Sequence, residues 1–124
     1  MLIEAYFQEV EKIVANSYLV VASHLVTEKR SLYIGFIEGT LTFLGGSTLH
    51  FMEFVNVKSE VNRYKYAYHF QNSDEILIFR YDMAPHCPDV KTFPHHKHTA
   101  DNQITDAPPP SLADILNEIE RTLD

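Results

Sequence analysis

The chain has 124 residues, 45% hydrophobic and 12% aromatic with no tryptophan, enough for one core, so a single domain spanning 1–124 is expected. Its formal charge of −7 repels a polyanion at long range and excludes a simple nucleic-acid-binding module, unless a local basic patch overrides the field. The lone cysteine, Cys87, cannot close an internal disulfide. No apolar run approaches the roughly 20 residues of a membrane span, and Glu4 and Glu9 stand where a signal segment would be basic, so a cytoplasmic protein is expected.

Leu2, Ile3, Tyr6, Phe7, Val10, Ile13 and Val14 recur at three- and four-residue steps and predict an N-terminal helix ended by Asn16-Ser17. Valine-rich Tyr18 to Thr27 reads as a strand, and Glu28 to Ser31 as a turn. A second extended stretch runs from Leu32 to Leu44, where Gly35 and Gly39 suggest a bulge or bend. After the hairpin signal Gly45-Gly46, Thr48 to Val57 carries apolar residues at both parities and reads as a central strand. Glu53 is out of place in that run. A buried carboxylate needs a partner, so Glu53 is expected to reach a basic residue such as Arg80 or to lie at a water-filled site.

From Arg63 to Gln71 the chain alternates, with Tyr64, Tyr66, Tyr68 and Phe70 on one side and Arg63, Lys65, Ala67 and His69 on the other. Asn72-Ser73-Asp74 supplies turn chemistry, and Glu75 to Met83 alternates again. A two-residue turn at Ser73-Asp74, or a four-residue loop from Asn72 to Glu75, places Phe70 opposite Leu77, Tyr68 opposite Phe79 and Tyr66 opposite Tyr81, an aromatic core face. The reverse face then pairs Lys65 with Asp82 and sets Arg80 diagonal to His69, while Arg63 reads as a solvated surface charge. Pro85 to Asp106 reads as a long loop. Ser111 and Asp114 form a capping box for a helix whose stripe is Leu112, Ile115, Leu116, Ile119 and Leu123. The order predicts an α+β fold: an antiparallel meander sheet of four to five strands, with the N-terminal and C-terminal helices packed on one face and Arg80 and His69 on the open one.

Four of the seven histidines, His86, His95, His96 and His98, fall within thirteen residues. Histidine suits both proton transfer and metal binding. An extended chain after Pro94 sends His96 and His98 to one side and His95 and Lys97 to the other. The leading expectation is metal-independent cleavage of RNA through its own 2′-hydroxyl. His69, His86, His96 and His98 would move protons, Glu53 or Asp82 would serve as alternative bases, and Arg80, Lys65 and Lys97 would hold the phosphoryl charge. Phe93 would stack an unpaired base. The alternative is a non-enzymatic partner- or metal-binding protein, with zinc or nickel held by His86, His96 and His98 and a carboxylate such as Asp82.

Tyr66-Ala67-Tyr68-His69, the run Phe79-Arg80-Tyr81-Asp82-Met83-Ala84-Pro85-His86 and the run Thr92-Phe93-Pro94-His95-His96-Lys97-His98 resemble the TumE family of small toxin–antitoxin proteins, and Glu53 sits where that family places an acidic residue. The resemblance covers nearly the whole chain. It departs at Met83, where the family usually has asparagine, and at Cys87, where it usually has a second histidine. It implies a toxin encoded beside an antitoxin with a DNA-binding helix-turn-helix region, and RNA cleavage as the expected activity. A homodimer is compatible with all of these features.

Overall fold

In the computed structural model, which describes residues 1–123, the first apolar stripe forms helix α1 (Ile3–Ala15), burying Ile3, Tyr6, Phe7, Val10 and Val14. Seven strands follow among the described residues: β1 (Val20–Lys29), β2 (Ile34–Phe43), β3 (Thr48–Asn56), β4 (Asn62–Gln71), β5 (Leu77–Asp82), β6 (His96–Thr99) and β7 (Ile104–Asp106); helix α2 (Leu112–Leu123) comes last. Each strand pairs antiparallel with its sequence neighbour, so the sheet is an unbroken meander. At α2 the capping box forms in both directions, Ser111 N–H to Asp114 Oδ2 (3.0 Å) and Asp114 N–H to Ser111 Oγ (3.1 Å).

Both helices cover one face. Tyr6 of α1 donates to Glu53 of β3, and Tyr81 of β5 and Lys97 of β6 donate to Glu118 of α2 on that same side. The α+β meander agrees with expectation, but the sheet has seven strands where four to five were expected. The two extra strands, β6 and β7, lie inside the stretch read as a loop. Their residues are mostly polar, so no hydrophobic alternation marks them; pairing with the edge of β5 makes them strands.

The central hairpin keeps its expected faces and shifts its register by two residues. Phe70 faces Phe79, Tyr68 faces Tyr81, His69 faces Arg80 and Ala67 faces Asp82. A wider turn causes this: the Asn72 side-chain oxygen accepts from the Asp74 and Ile76 amides (2.9 and 3.0 Å), and Glu75 adopts a positive φ of 63°. An even shift preserves parity, so the rings still pack inward. It also removes Lys65 from its expected place opposite Asp82.

A bulge at Tyr64 overturns two further expectations. Lys65 pairs with Phe54 but Arg63 with Val55, which turns Arg63 inward and Tyr64 outward. Arg63 is therefore no solvated surface charge: its guanidinium lies 4.6 Å over the Tyr66 ring and donates to Tyr68 Oη (2.8 Å) and to the Pro110 carbonyl. Tyr64 is 47% exposed and packs edge-on against Phe54. The glycines make room instead of bending the strand, whose pairing with β3 is regular. A Cβ at Gly35 would lie 2.6 Å from Ile3 Cγ1, and one at Gly39 2.5 Å from Phe51 Cε1, so helix α1 and the Phe51 ring occupy those spaces.

Glu53 is buried at 1% exposure beneath the helices, on the face opposite Arg80. Its position in β3 shares the side of Phe51 and Val55, and it accepts hydrogen bonds from the Tyr6 and Tyr68 hydroxyls, with Arg63 reaching the far side of Tyr68. The expected link to Arg80 is thus absent and phenols fill the role. Burial and the nearby carboxylate raise the Tyr6 and Tyr68 phenols well above their ordinary range, and burial lifts Tyr66 to about 12. Tyr68→Phe should cost roughly 1–3 kcal/mol in denaturant unfolding, the loss expected when a buried acceptor loses its donor. Because these phenols keep their protons in the folded state, stability should hold below pH ~10 and fall as pH rises above it; a pH series of unfolding midpoints checks this.

Candidate active site

The open face of the sheet carries a row of side chains set by successive registers: His24 pairs with Thr40, Thr40 with His50, His50 with His69, His69 with Arg80, and Arg80 with His98. Six strands at about 4.8 Å per step make a track of roughly 24 Å. Neighbours along it touch: Thr40 Oγ1 lies 3.2 Å from His50 Nδ1, and the Arg80 guanidinium lies 3.4 Å from His69 Nδ1. Two shallow hollows follow the same track. One of about 350 Å³ lies between His24, Thr40 and His50, and one of about 300 Å³ between His50, His69 and Arg80. Glu38 borders both.

At the far end of the track β5 and β6 bring together Arg80, Asp82, His96 and His98, with His86 above them from the following loop. Asp82 faces His96 and Arg80 faces His98 in the pairing. Asp82 Oδ2 accepts from Arg80 Nε (2.8 Å), and Oδ1 accepts from the Ala84 amide (3.1 Å) and lies 2.9 Å from His96 Nε2. His96 is fully buried, its Nδ1 2.9 Å from the Pro94 carbonyl and its Nε2 3.1 Å from His98 Nε2. The His86 ring centre is 4.6 Å from that of His96 and 5.8 Å from that of His98.

Burial works to raise the Asp82 carboxyl, but the Arg80 hydrogen bond, the Ala84 amide and the charge of His96 hold it below the ordinary carboxylate range. Burial lowers His69, with Arg80 adding to it, and burial lowers His98, with His96 adding to it. Both imidazoles favour the neutral form, able to accept as well as donate.

Of the residues chosen from sequence, His69, Arg80, Asp82, His86, His96 and His98 converge here. Glu53 does not, lying beneath the helices. Lys97 does not either. The alternation that sends His96 and His98 outward sends Lys97 to α2, where it lies 2.9 Å from Glu118 and over the rings of Phe79 and Tyr81. His95 shares that side, stacked on Tyr66 with Nδ1 2.8 Å from its hydroxyl. Lys65 stays exposed on the open face, one step beyond the Ala67–Asp82 pair and without an ion-pair partner among the described residues. Phe93 is 46% exposed on the loop before Pro94. Cys87 stands outside the group of converging ligand atoms. No pattern in the sequence marks His24 or His50; only three hairpin registers, read together, align them with His69.

The sequence profile described as Toxin TumE matches residues 10–123, nearly the whole chain. The chain belongs to the TumE toxin family. That match takes in every strand and both ends of the open-face track, and a TumE toxin implies an antitoxin partner. No curated protein and no solved structure matches the chain. Among the described residues no helix is long and apolar enough to cross a membrane.

Because Lys97 serves helix docking, Lys97→Ala should cost about 1 kcal/mol or less in unfolding free energy. It should leave toxicity on induction unchanged, which a growth curve beside wild type checks.

Proposed function

We propose that this TumE protein is an RNA-cleaving toxin of the cytoplasm, held inactive by an antitoxin that carries a helix-turn-helix DNA-binding region. The single observation that supports it is the track: a row of N–H and O–H donors crosses the uncovered face and ends at a guanidinium beside a carboxylate and three imidazoles. Phosphodiester cleavage needs donors along the chain, a cation at the phosphoryl oxygens and a group that activates the attacking oxygen. His24, Thr40, His50 and His69 take the first role, Arg80 the second, and the Asp82, His86, His96 and His98 cluster the third. Lys65 lies where it can meet a neighbouring phosphate, and exposed Phe93 offers a ring to an unpaired base.

The proposal also accommodates the acidic charge. Permanent cations on the face are few, Lys65 and Arg80 beside the row and Arg30 over the Phe54 ring, where Glu28 pairs it, so recognition rests on short-range hydrogen bonds more than on the long-range field. Binding of single-stranded RNA should then show a log–log salt slope of about −1.4, the value for two neutralised phosphates.

Arg80→Ala should abolish both growth inhibition and RNA degradation in a purified reaction while circular dichroism stays native. His24→Ala with His50→Ala should raise KM, each substitution costing roughly 0.5–1.5 kcal/mol of binding. A folded Arg80→Ala protein that still degrades RNA at the wild-type rate, or a toxic wild type that leaves RNA intact, would overturn the proposal.

A further inference from the structure

We infer that the Asp82, His86, His96 and His98 cluster is a binding site for one divalent transition-metal ion of the zinc, cobalt or nickel class. His96, fully buried, anchors the cluster. The Pro94 carbonyl beside its Nδ1 can only accept, so Nδ1 carries the proton. In the neutral ring, the form a metal ligand takes, the Nε2 lone pair then points toward Asp82 Oδ1, 2.9 Å away, and toward His98 Nε2, 3.1 Å away. Lone pairs on buried atoms such as these do not approach one another unless something positive, a proton or a metal ion, lies between them.

A proton is one solution, yet it can lie along only one of these lines well. The geometry supplies more than one line. One ligand atom from each of Asp82, His86, His96 and His98 lies within 4.8 Å of all the others, and His98 Nε2 is 4.0 Å from Asp82 Oδ2. Metal–ligand bonds of 2.0–2.2 Å in a tetrahedron separate the ligand atoms by about 3.4 Å. His96 Nε2 lies a little inside that distance of Asp82 Oδ1 (2.9 Å) and of His98 Nε2 (3.1 Å), and the four ligand atoms spread no further than 4.8 Å.

The surroundings also suit a metal. Ligand imidazoles normally donate their second N–H to a carbonyl or carboxylate, and ligand carboxylates are themselves hydrogen-bonded, which fixes tautomer and orientation. His96 Nδ1 has Pro94, and Asp82 has both the Arg80 guanidinium and the Ala84 amide. Three imidazoles and one carboxylate are a borderline donor set, which favours zinc, cobalt or nickel over magnesium or calcium. Two ligands are anchored on β5 and β6 and buried, whereas His86 is exposed on its loop and leaves the outer side of the site reachable from solvent. As a cofactor that activates the attacking oxygen, the ion rests on the RNA-cleavage proposal above. Its binding does not.

The test uses the tag-free chain, stripped with a chelator and then titrated with zinc chloride by calorimetry and with cobalt chloride by visible absorption, with elemental analysis after dialysis. The expected result is one equivalent of metal and the absorption bands of tetrahedral cobalt. His98→Ala, a half-buried position that leaves the strand pairing intact, should weaken cobalt binding by more than the roughly 10–100-fold that loss of an outer-shell partner costs; His86→Ala should weaken it too. Zinc should raise the melting temperature of the wild type and not of the double variant that combines His86→Ala with His98→Ala. Absence of stoichiometric binding, or binding unchanged in the double variant, would overturn the inference. RNA degradation measured on stripped and reloaded protein separates the two proposals: metal bound without cleavage removes the RNA reading and keeps the site, and equal cleavage by stripped and loaded protein keeps the RNA reading and removes the ion as its cofactor.

Discussion

The structure depends on one constraint: in an antiparallel meander with helices on one side only, parity decides which residues meet the core and which meet solvent. From Tyr66 to Phe70 and from Phe79 to Tyr81 the rings alternate with Ala67, His69 and Arg80, so packing the rings under α1 and α2 drives the imidazole and guanidinium groups to the other side. Strand β6 adopts the same parity because its backbone completes the edge of β5. His96 and His98 then fall beside Asp82 and Arg80 without any hydrophobic residue directing them there. Core packing on one face thus builds the site on the other.

Two polar systems on the two faces illustrate how sharply this constraint sorts chemistry. Beneath the helices, Glu53 is surrounded by phenols and backed by Arg63, a closed network that holds α1 and the Pro110 segment to the sheet. On the open side, Asp82 meets a guanidinium, an amide and a row of imidazoles whose remaining lone pairs are not all consumed within the protein. Each carboxylate is buried and accepts from two donors, but the first meets phenols alone whereas the second also faces imidazole nitrogens. Donors alone around a carboxylate mark a structural role, and imidazole nitrogens converging on one mark a place for a ligand.

Much of this was legible in the chain. Helical spacing, the Ser111–Asp114 capping box and the tyrosine alternation located both helices and five strands, and the extended reading after Pro94 sent His96 and His98 to one side and His95 and Lys97 to the other. What failed was register and its local exceptions. The Asn72 turn is wider than either the two-residue or the four-residue loop expected, which displaced Lys65 from Asp82, and the Tyr64 bulge reversed the side on which Arg63 lies. Both are backbone events with no hydrophobic signature. Strands β6 and β7 were hidden for the opposite reason, since polar residues gain strand structure only from a partner already in place. His24 and His50 required the registers of three hairpins to be known together, and no pattern within any one strand marks them as neighbours of His69.

The central claim is that function resides on the face the helices leave bare. Amide chemical shifts of the isotope-labelled protein, followed while a short single-stranded RNA made uncleavable by 2′-deoxy substitution is added, test it most directly. Shifts should concentrate at His24, Thr40, His50, His69, Arg80 and His98. Shifts concentrated instead along α1 and α2, with the open-face row unmoved, would contradict it.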